Sequence, residues 1–393
     1  MKLLRIETVN ELRKYAAAWD DLWWRSDATL PTQRADLVAQ WVEHFAPSKR
    51  FVALVVEDGG QLVAALPLVG FRKLGLQVGG LTANCWSDSG TLLLDGQSNS
   101  QLATETLIQG VQGLGWPLLM LDGVNLQSDT WQTWQQSQAS RGFTAAIRPK
   151  YRIGKIDITH NWDAYVKAWS ANHRRAIKKL RQAAEKKGRI ELVAHTELLP
   201  DEVEPLLHQA FEIEDRSWKG REGSSVLRTP GAYDFFLRQA QQLATWNQFE
   251  LYFLKLNDRP IAFDFCFSAK GVLSSHKIGY DEEFRDFGPF QLLRSYQLEK
   301  LFAAPDRHLL DTLGILGEAN AKWSTRYVQS SRAIVQTGSV AGRLALSGYE
   351  RIWPGVRKLL RRDEVLEPDR EPGAARLLEN STVDLGEPAM AAN

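Results

Sequence analysis

The stretch "YDEEFRDFGPFQLLRSYQLEKLF", residues 280 to 302, places a charged turn, Gly288-Pro289 and an amphipathic run directly after the apolar "GVLSSHKIGY". A glycine turn that opens a helix at the end of a strand leaves backbone N–H groups unpaired at the positive end of the helix dipole, which favours an anion such as a phosphate. The same pattern also serves a bare helix start. Nearby, Asp264 and His276 stand in otherwise apolar strands, where an ionisable group needs a partner and its pKa is open to perturbation. Glu214 and Asp215 precede "RSWKG", where a helix ends in a glycine-containing loop suited to substrate contacts or to a solvated helix end. The run His173, Arg174, Arg175, Lys178, Lys179, Arg181 is basic, with Arg174, Lys178 and Arg181 on one helical side, so it suits either an anion or a solvated face.

Period changes along the chain supply the elements that would position these groups. Residues 8 to 26 and 33 to 45 have helical spacing after Thr or Asn starts. "FVALVVEDGGQLVAALPLVGF" then reads as a hairpin around Asp58-Gly59-Gly60, followed by a strand "GTLLLD", a helix "QLATETLIQGVQGL" and a short buried strand "PLLMLDGV". The second half repeats that order. "WDAYVKAWSANHRRAIKKLRQAAEKKG" reads as one long helix, and "PDEVEPLLHQAFEIEDRSW" and "PGAYDFFLRQAQQLA" as two more. Strands meeting at Asn257-Asp258-Arg259-Pro260 and near Lys270-Gly271 lead into the glycine turn, its helix and the strand "RHLLDTLG". "LVVEDGGQLVAALPL" matches "FLKLNDRPIAFDFCF" in kind, and "LLMLDGV" matches "LLDTLGI", so a duplicated α/β unit is expected. The boundaries this suggests are 1–150 and 151–340, then a basic amphipathic helix over 341–362 interrupted at Pro354, then a disordered tail over 363–393.

Composition sets the class. The chain has 393 residues, 44% hydrophobic and 24% charged, with a net charge of +1, which suits two globular domains and gives no overall pull toward DNA. Cys85 and Cys266 lack a CxxC or a nearby His partner, which argues against a zinc site, a redox pair or a disulfide scaffold, and both are expected in the core. No signal peptide or spanning run is legible, so a cytoplasmic setting is the expectation. Many of the 14 Trp residues, among them Trp19, Trp23, Trp24, Trp41, Trp162 and Trp169, have helical spacing that suits core anchors.

The order of helices, hairpin, strand, turn, helix and strand resembles the GCN5-related N-acetyltransferases (GNAT). The second half further resembles the acetyltransferase family named for cellulose biosynthesis (CelD/BcsL type), similar in layout to the FemAB peptidyltransferases with two GNAT-like domains. The residues that carry the resemblance are "SANHRRAIKKLR" (170 to 181), "EDRSWKGREGS" (214 to 224), "LYFLKLNDRPIAFDF" (251 to 265), "KIGYDEEFRDFGPFQLL" (277 to 293) and "LLDTLG" with "AKW" (309 to 323). The GNAT pyrophosphate loop has Arg or Gln, two residues, Gly, one residue, then Gly or Ala; "RDFGPF" supplies Arg285 and Gly288 and puts Phe290 where a small residue is usual. Phe290 either narrows the room for the pyrophosphate or turns inward. The first half has "LDGQSNSQ" in place of "RDFG", which suggests a scaffold or acceptor-side role.

The resemblance implies two tandem GNAT-like domains with mixed, mostly antiparallel sheets flanked by helices, and acyl transfer from acetyl-CoA or another acyl-CoA without a metal. N–H groups around Phe287, Gly288, Phe290 and Gln291, with Arg285, would cradle the pyrophosphate. Base or acceptor contacts would come from Glu214, Asp215, Asp264, His276 and Asp311, with Tyr280 as an acid; Asp311 beside Lys322 would be a structural pair or an acceptor contact. Arg174, Arg175, Lys178, Trp218, Lys219 and Lys322 are the expected substrate contacts, the basic run gripping a phosphate of CoA, a nucleotide-linked acceptor or an anionic glycan. The acceptor implied is a sugar, amine or lipid-linked precursor of an envelope or extracellular polysaccharide, with peripheral membrane contact through 341–362. A FemAB-like transferase using aminoacyl-tRNA and a non-catalytic GNAT-like binding protein are the competing readings.

Overall fold

The computed structural model describes residues 1–73 and 75–360; the tail expected to be disordered and the end of the basic helix lie outside the described residues, as do the side chains of 352–360. In chain order the elements are β1 (Lys2–Ile6), α1 (Val9–Lys14), α2 (Ala16–Arg25), α3 (Ala35–Phe45), β2 (Phe51–Asp58), β3 (Gln61–Lys73), β4 (Leu76–Leu81), β5 (Leu93–Leu94), α4 (Ser100–Gln112), β6 (Leu118–Val124), α5 (Asp129–Ser140) and β7 (Ala145–Asp157). There follow α6 (Trp162–Ala168), α7 (Ala171–Glu185), β8 (Ile190–His195), α8 (Pro200–Asp215), α9 (Trp218–Arg221), α10 (Ala232–Thr245), β9 (Phe249–Leu256), β10 (Arg259–Ala269), β11 (Val272–Tyr280), α11 (Pro289–Ala303), β12 (Leu309–Ile315), α12 (Glu318–Ala321), β13 (Arg326–Gln336) and α13 (Val340–Leu360). They form two compact units: Met1–Ala28, Thr32–Tyr151 and the chain from Gln329 in one, Thr29–Pro31 and Arg152–Val328 in the other. The strand residues after 328, expected with the second half, thus return to the first unit, where Ser331 to Gln336 pair antiparallel with β6. The backbone of α13 runs through Pro354 without the expected interruption.

Three tight turns set the strand registers. Gly59 and Gly60, Asn257 and Asp258, and Lys270 and Gly271 all have positive φ, the paired left-handed geometry whose twist suits a two-residue hairpin. In the first unit β1, β2, β3 and β4 form an antiparallel run, and β4 then pairs parallel with β6 at only Gly79↔Leu119 and Gly80↔Met120. Its core lies between this sheet and helices α4 and α5, with Leu54, Leu66, Leu107, Trp131 and Trp134 buried. In the second unit β8, β9, β10 and β11 are antiparallel, and β11 pairs parallel with β12 at only Val272↔Leu309, Leu273↔Leu310 and Ser274↔Asp311. Both units therefore repeat one order: antiparallel strands, a helix, then a parallel strand joined for two or three positions.

Several local expectations are corrected. The long helix expected over 162 to 188 breaks at Trp169, which is extended; Ser170 then accepts the His173 N–H and starts α7 anew. The helix expected over 8 to 26 likewise divides at Tyr15. Trp19, Trp23 and Trp41 are fully buried, but Trp24 is largely exposed, and Cys85 is exposed where a core thiol was expected. Asp311 does not face Lys322. Its Oδ2 pairs with Lys155 of β7, and its Oδ1 accepts the N–H of Leu313, whose φ is +51°, while Lys322 pairs with Glu318 one helical turn away.

Asp311 is 4% exposed, and removing one partner of a buried pair leaves the other charge uncompensated. Asp311→Ala is expected to lower unfolding stability by about 3 kcal/mol in urea titration. Lys322→Ala, at an exposed i,i+4 pair, is expected to leave the midpoint unchanged.

Candidate functional site

The site grows from the place where β11 and β12 part. Ser275 of β11 faces Cys266 and Lys277 faces Phe265, so His276 is the extra residue of a β-bulge. Parallel pairing with β12 ends at Ser274, two residues before the bulge, and beyond it no strand among the described residues pairs with that edge of β11. On the other side, the Asp311 to Leu313 hydrogen bond holds β12 in a left-handed kink, and its ladder with β7 skips from Asp311 to Ile315. The two strands therefore part on the way to the turn at Gly288.

That turn is built for a left-handed residue. Asp281 caps a 3-10 turn over Glu282–Phe287 by accepting the Glu283 N–H, and Gly288 follows with φ +56°. The positive φ favours glycine here, and a Cβ on Gly288 would in addition lie 3.1 Å from Leu180 Cδ1, so Leu180 would have to shift. No side chain caps α11, leaving the first-turn N–H groups of Phe290 and Gln291 at the helix start. In the first unit the corresponding helix α4 is capped by its own Asn99, which accepts the Leu102 N–H. The "QSNSQ" segment thus closes in the first unit what the glycine turn leaves open in the second. Gln291 ties the two walls together: its Oε1 accepts from Trp323 Nε1 at 2.9 Å, and Trp323 is buried.

The two faces of the sheet beside the gap differ in chemistry. On the α11 face, Ser275 Oγ donates to Asp264 at 2.7 Å, Gln297 Nε2 donates to Asp264 Oδ2 at 3.1 Å, and Arg294 Nη1 lies 3.4 Å from the same carboxylate. Arg294 Nη2 also donates to Ser275 Oγ at 3.0 Å. Complete burial pushes the Asp264 carboxyl up, with Arg294 and the hydrogen bonds opposing. Phe290 turns its ring toward this buried guanidinium, 5.7 Å from the Arg294 carbon. On the opposite face, the His276 ring lies among Phe236, Phe265 and Phe267, with Phe236 belonging to α10. The bulge brings Lys277 to this face too, 3.6 Å from Glu214 of α8 and 5.1 Å from the Phe236 ring centre.

Glu214 is 1% exposed, accepts from Lys219 Nζ at 2.6 Å and from the Val226 N–H at 2.9 Å. Burial alone would raise its pKa, but Lys277, Lys219 and the two hydrogen bonds outweigh it and hold the group at about 2. Glu214 is therefore an ionised anchor for two lysines. Asp215 is likewise committed, with Arg228 gripping both oxygens and Ser225 donating, so its pKa is lowered mainly by Arg228. Arg216 and Arg259 both pair with Asp281, and Arg221 pairs with Glu282, so the 216–231 segment between α8 and α10 is pinned to the glycine turn.

The expected residues thus fall into groups. Arg285, Phe287, Gly288, Phe290 and Gln291 share the turn, with Arg285 72% exposed and only 3.9 Å from Glu282 at nearest. Asp264 lies on the α11 face and His276 on the other, so the two do not meet. Tyr280 ends β11 and, like Phe284 and Phe287, packs against the buried cluster that includes Leu254, Ile261 and Leu292. Lys219 joins Glu214, Trp218 is half-buried in α9, and Lys322 stands apart at the surface. Arg174 is spent on the Lys167 and Trp169 carbonyls, whereas Arg175 and Lys178 are exposed. Sequence reasoning missed Lys277, Ser275, Arg294 and Gln297; the signal was a charge inside "GVLSSHKIGY" and an Arg within the Leu-rich face of α11. His173, named only in the basic run, is buried against Trp169 and Trp323, its pKa lowered by burial and then by Lys322.

Because the folded pKa of Glu214 lies below the ordinary 4.5, its ionised form contributes stability above about pH 4.5 that is lost as pH falls toward about 2. The stability difference between the native chain and Glu214→Gln is expected to be on the order of 3 kcal/mol at pH 7 and to shrink through that window, as followed by denaturant unfolding at stepped pH.

Comparison with known proteins bears on the same residues. Residues 171–322 match the family model of the acetyltransferase (GNAT) domain. No curated protein matches the chain by sequence. Among solved structures, FemX is similar at a TM-score of 0.56 and 12% identity, covering 85% of this chain and 97% of FemX. The C-terminal domain of an Agrobacterium fabrum protein described as a lysylphosphatidylglycerol synthetase is similar at 0.51 and 11% identity, covering 87% and 96%. Identities this low speak for the fold alone. The gap, the glycine turn and the matched segment coincide in the second unit, so the chain carries an acetyltransferase (GNAT) domain in a GNAT-like fold and is an acyltransferase.

Proposed function

We propose that the second unit transfers an acyl group from acyl-CoA, with acetyl-CoA the first donor to try, to an amine or hydroxyl of a sugar, amine or lipid-linked precursor in envelope or exopolysaccharide synthesis. The acceptor class rests on the CelD/BcsL-type resemblance of the quoted motifs. The donor is supported by one observation: parallel pairing of β11 with β12 stops at Ser274, and β11 then runs into the glycine turn at Gly288, where no side chain caps α11. In this reading the N–H groups of Phe290 and Gln291 and the exposed Arg285 hold the diphosphate. The end of β11 from Ile278 to Tyr280 hydrogen-bonds the amide-bearing arm of the donor in this reading, and backbone N–H groups there face the thioester oxygen as charge develops.

The acceptor approaches from the α8 and α10 face. Lys219 and Lys277, both held by Glu214, orient an anionic group on it in this reading. His276 sits at the bulge on that face, and we assign it the proton from the attacking amine or hydroxyl. The acceptor nitrogen or oxygen forms a bond to the carbonyl carbon, the carbon–sulfur bond breaks, and the thiolate leaves as free CoA. Asp264 is sealed from solvent and Glu214 stays ionised between two cations, so in this scheme both position rather than transfer protons.

Isothermal titration with acetyl-CoA tests the donor. Gly288→Asp would confuse binding with backbone strain, so Arg285→Glu, at an exposed position, is the informative variant. Binding by the native chain, weakened about tenfold or more by charge reversal, is the expected result. Absence of acetyl-CoA binding by a folded sample overturns the donor assignment. His276→Asn is expected to keep that affinity while release of free CoA thiol in the presence of amino-sugar acceptors falls by about a hundredfold or more.

A further inference from the structure

Cations of the first unit gather around α13 without acids to meet them. Lys73 ends β3, Arg148 stands in β7, and Arg343 and Arg351 belong to α13 itself. Among the described residues no carboxylate pairs with any of these; Arg148 Nη1 donates to the Ile147 carbonyl and Arg343 Nη1 to the Gly338 carbonyl. Elsewhere in the same unit Arg13, Arg25, Arg34, Lys150 and Arg332 all have acidic partners. The difference is written in the chain, which has no Asp or Glu between Asp58 and Asp88 and none between Glu318 and Glu350.

Packing brings these groups to one face of the sheet. Ser339 accepts the Gly342 N–H and starts α13, and a Cβ on Gly342 would lie 2.3 Å from the Pro117 carbonyl oxygen, so the helix begins hard against the chain that enters β6. Leu346 is then buried, and Ala345 and Tyr349 pack, on a cluster that includes Phe71, Val78, Met120 and Ala146. Side chains two apart on a strand share a face, so the cross-strand pair Lys73 and Leu76 extends the face of Phe71 and Val78, and Arg148 that of Ala146. The Arg148 guanidinium carbon lies 5.8 Å from the Tyr349 ring centre. The far side of α13 stays bare. Val340 and Leu344 are 64% and 69% exposed, and with Arg351 they keep the i, i+4, i+11 spacing of one stripe turned away from Leu346 and Tyr349. Leu76 is exposed as well, and Glu350 stands beside the stripe rather than on it.

We propose that this surface, Lys73 and Leu76 of the β3–β4 hairpin with Val340, Leu344 and Arg351 of α13, docks on the face of an anionic phospholipid bilayer. Its apolar side chains enter the headgroup layer while the long basic ones reach lipid phosphates. A second copy of the chain would set like charges against each other, which disfavours it as the occupant. The inference lies wholly in the first unit and does not depend on the acyl-CoA reading of the second.

Cosedimentation of the full chain with vesicles tests it. Binding to an equimolar mixture of phosphatidylglycerol and phosphatidylcholine is expected to be about tenfold or more tighter than to phosphatidylcholine alone, and to weaken as salt rises. Leu344→Gln/Arg351→Glu, at exposed positions, is expected to weaken it by about tenfold or more while the unfolding midpoint is kept. Lys179→Glu, at an exposed cation of the second unit, alters net charge as much and is expected to bind as the native chain does. Full binding by the double variant, or an equal loss in Lys179→Glu, overturns the assignment to this face. Absence of any preference for the anionic vesicles overturns the bilayer as occupant. Light scattering then gives the face to a second copy if the chain is a dimer, and to the acid-rich sequence after Arg362 if it is a monomer.

Discussion

The second unit depends on a parallel ladder that stops after three pairs. Two features stop it, one on each strand. The bulge at His276 puts an extra residue into β11, which locally increases twist, and the Asp311 carboxylate holds Leu313 in a left-handed kink that carries β12 away. Neither residue's backbone geometry is the relaxed one for a strand, and the buried Lys155 pair is what keeps Asp311 in place. A closed ladder would satisfy the backbone of β11 internally. In the open one, strand pairing with β12 ends at Ser274 and the rest of that edge has no strand beside it among the described residues.

The gap also separates two chemistries by the thickness of a sheet. One face carries a fully buried Asp264–Ser275–Arg294–Gln297 network under α11; the other carries His276 and the Lys277–Glu214–Lys219 group under α8 and α10. The bulge is the reason consecutive residues His276 and Lys277 both reach the second face, since an uninterrupted strand would send them to opposite sides. Ion pairs from Arg216 to Asp281 and from Arg221 to Glu282 then bind the 216–231 segment to the glycine turn, so the two sides of the site share one rim. The first unit repeats the strand order with its parallel pair cut to two positions, but Asn99 caps its helix. A short amide-bearing side chain thus satisfies the helix start in the first unit that the second leaves without a side-chain cap.

Much of this was legible in the chain because it is encoded locally. The hairpins at Gly59-Gly60, Asn257-Asp258 and Lys270-Gly271 were found from residues that tolerate positive φ, and the glycine turn at 288 from the same rule. The strands β1, β4, β7, β8 and β13 were missed, since each is short, half-polar or long and amphipathic, and acquires its identity by pairing with a distant strand. The break between α6 and α7 was present as Ser170 before His173, a cap hidden inside a continuous apolar period.

Partner choice was the part the chain left open. The sequence by itself determined the duplicated order of elements, the φ-positive turns, the uncapped helix start at Gly288 and the basic period of α7, because each follows from residue type and spacing within one element. Tertiary structure alone decided that Asp311 meets Lys155 rather than Lys322, that Glu214 is a clamped anion, and that Asp264 and His276 lie on opposite faces. Those outcomes depend on register and on which groups are desolvated together, over a separation of 156 residues for Asp311 and Lys155, and a charge has no definite pKa or partner until the fold sets both.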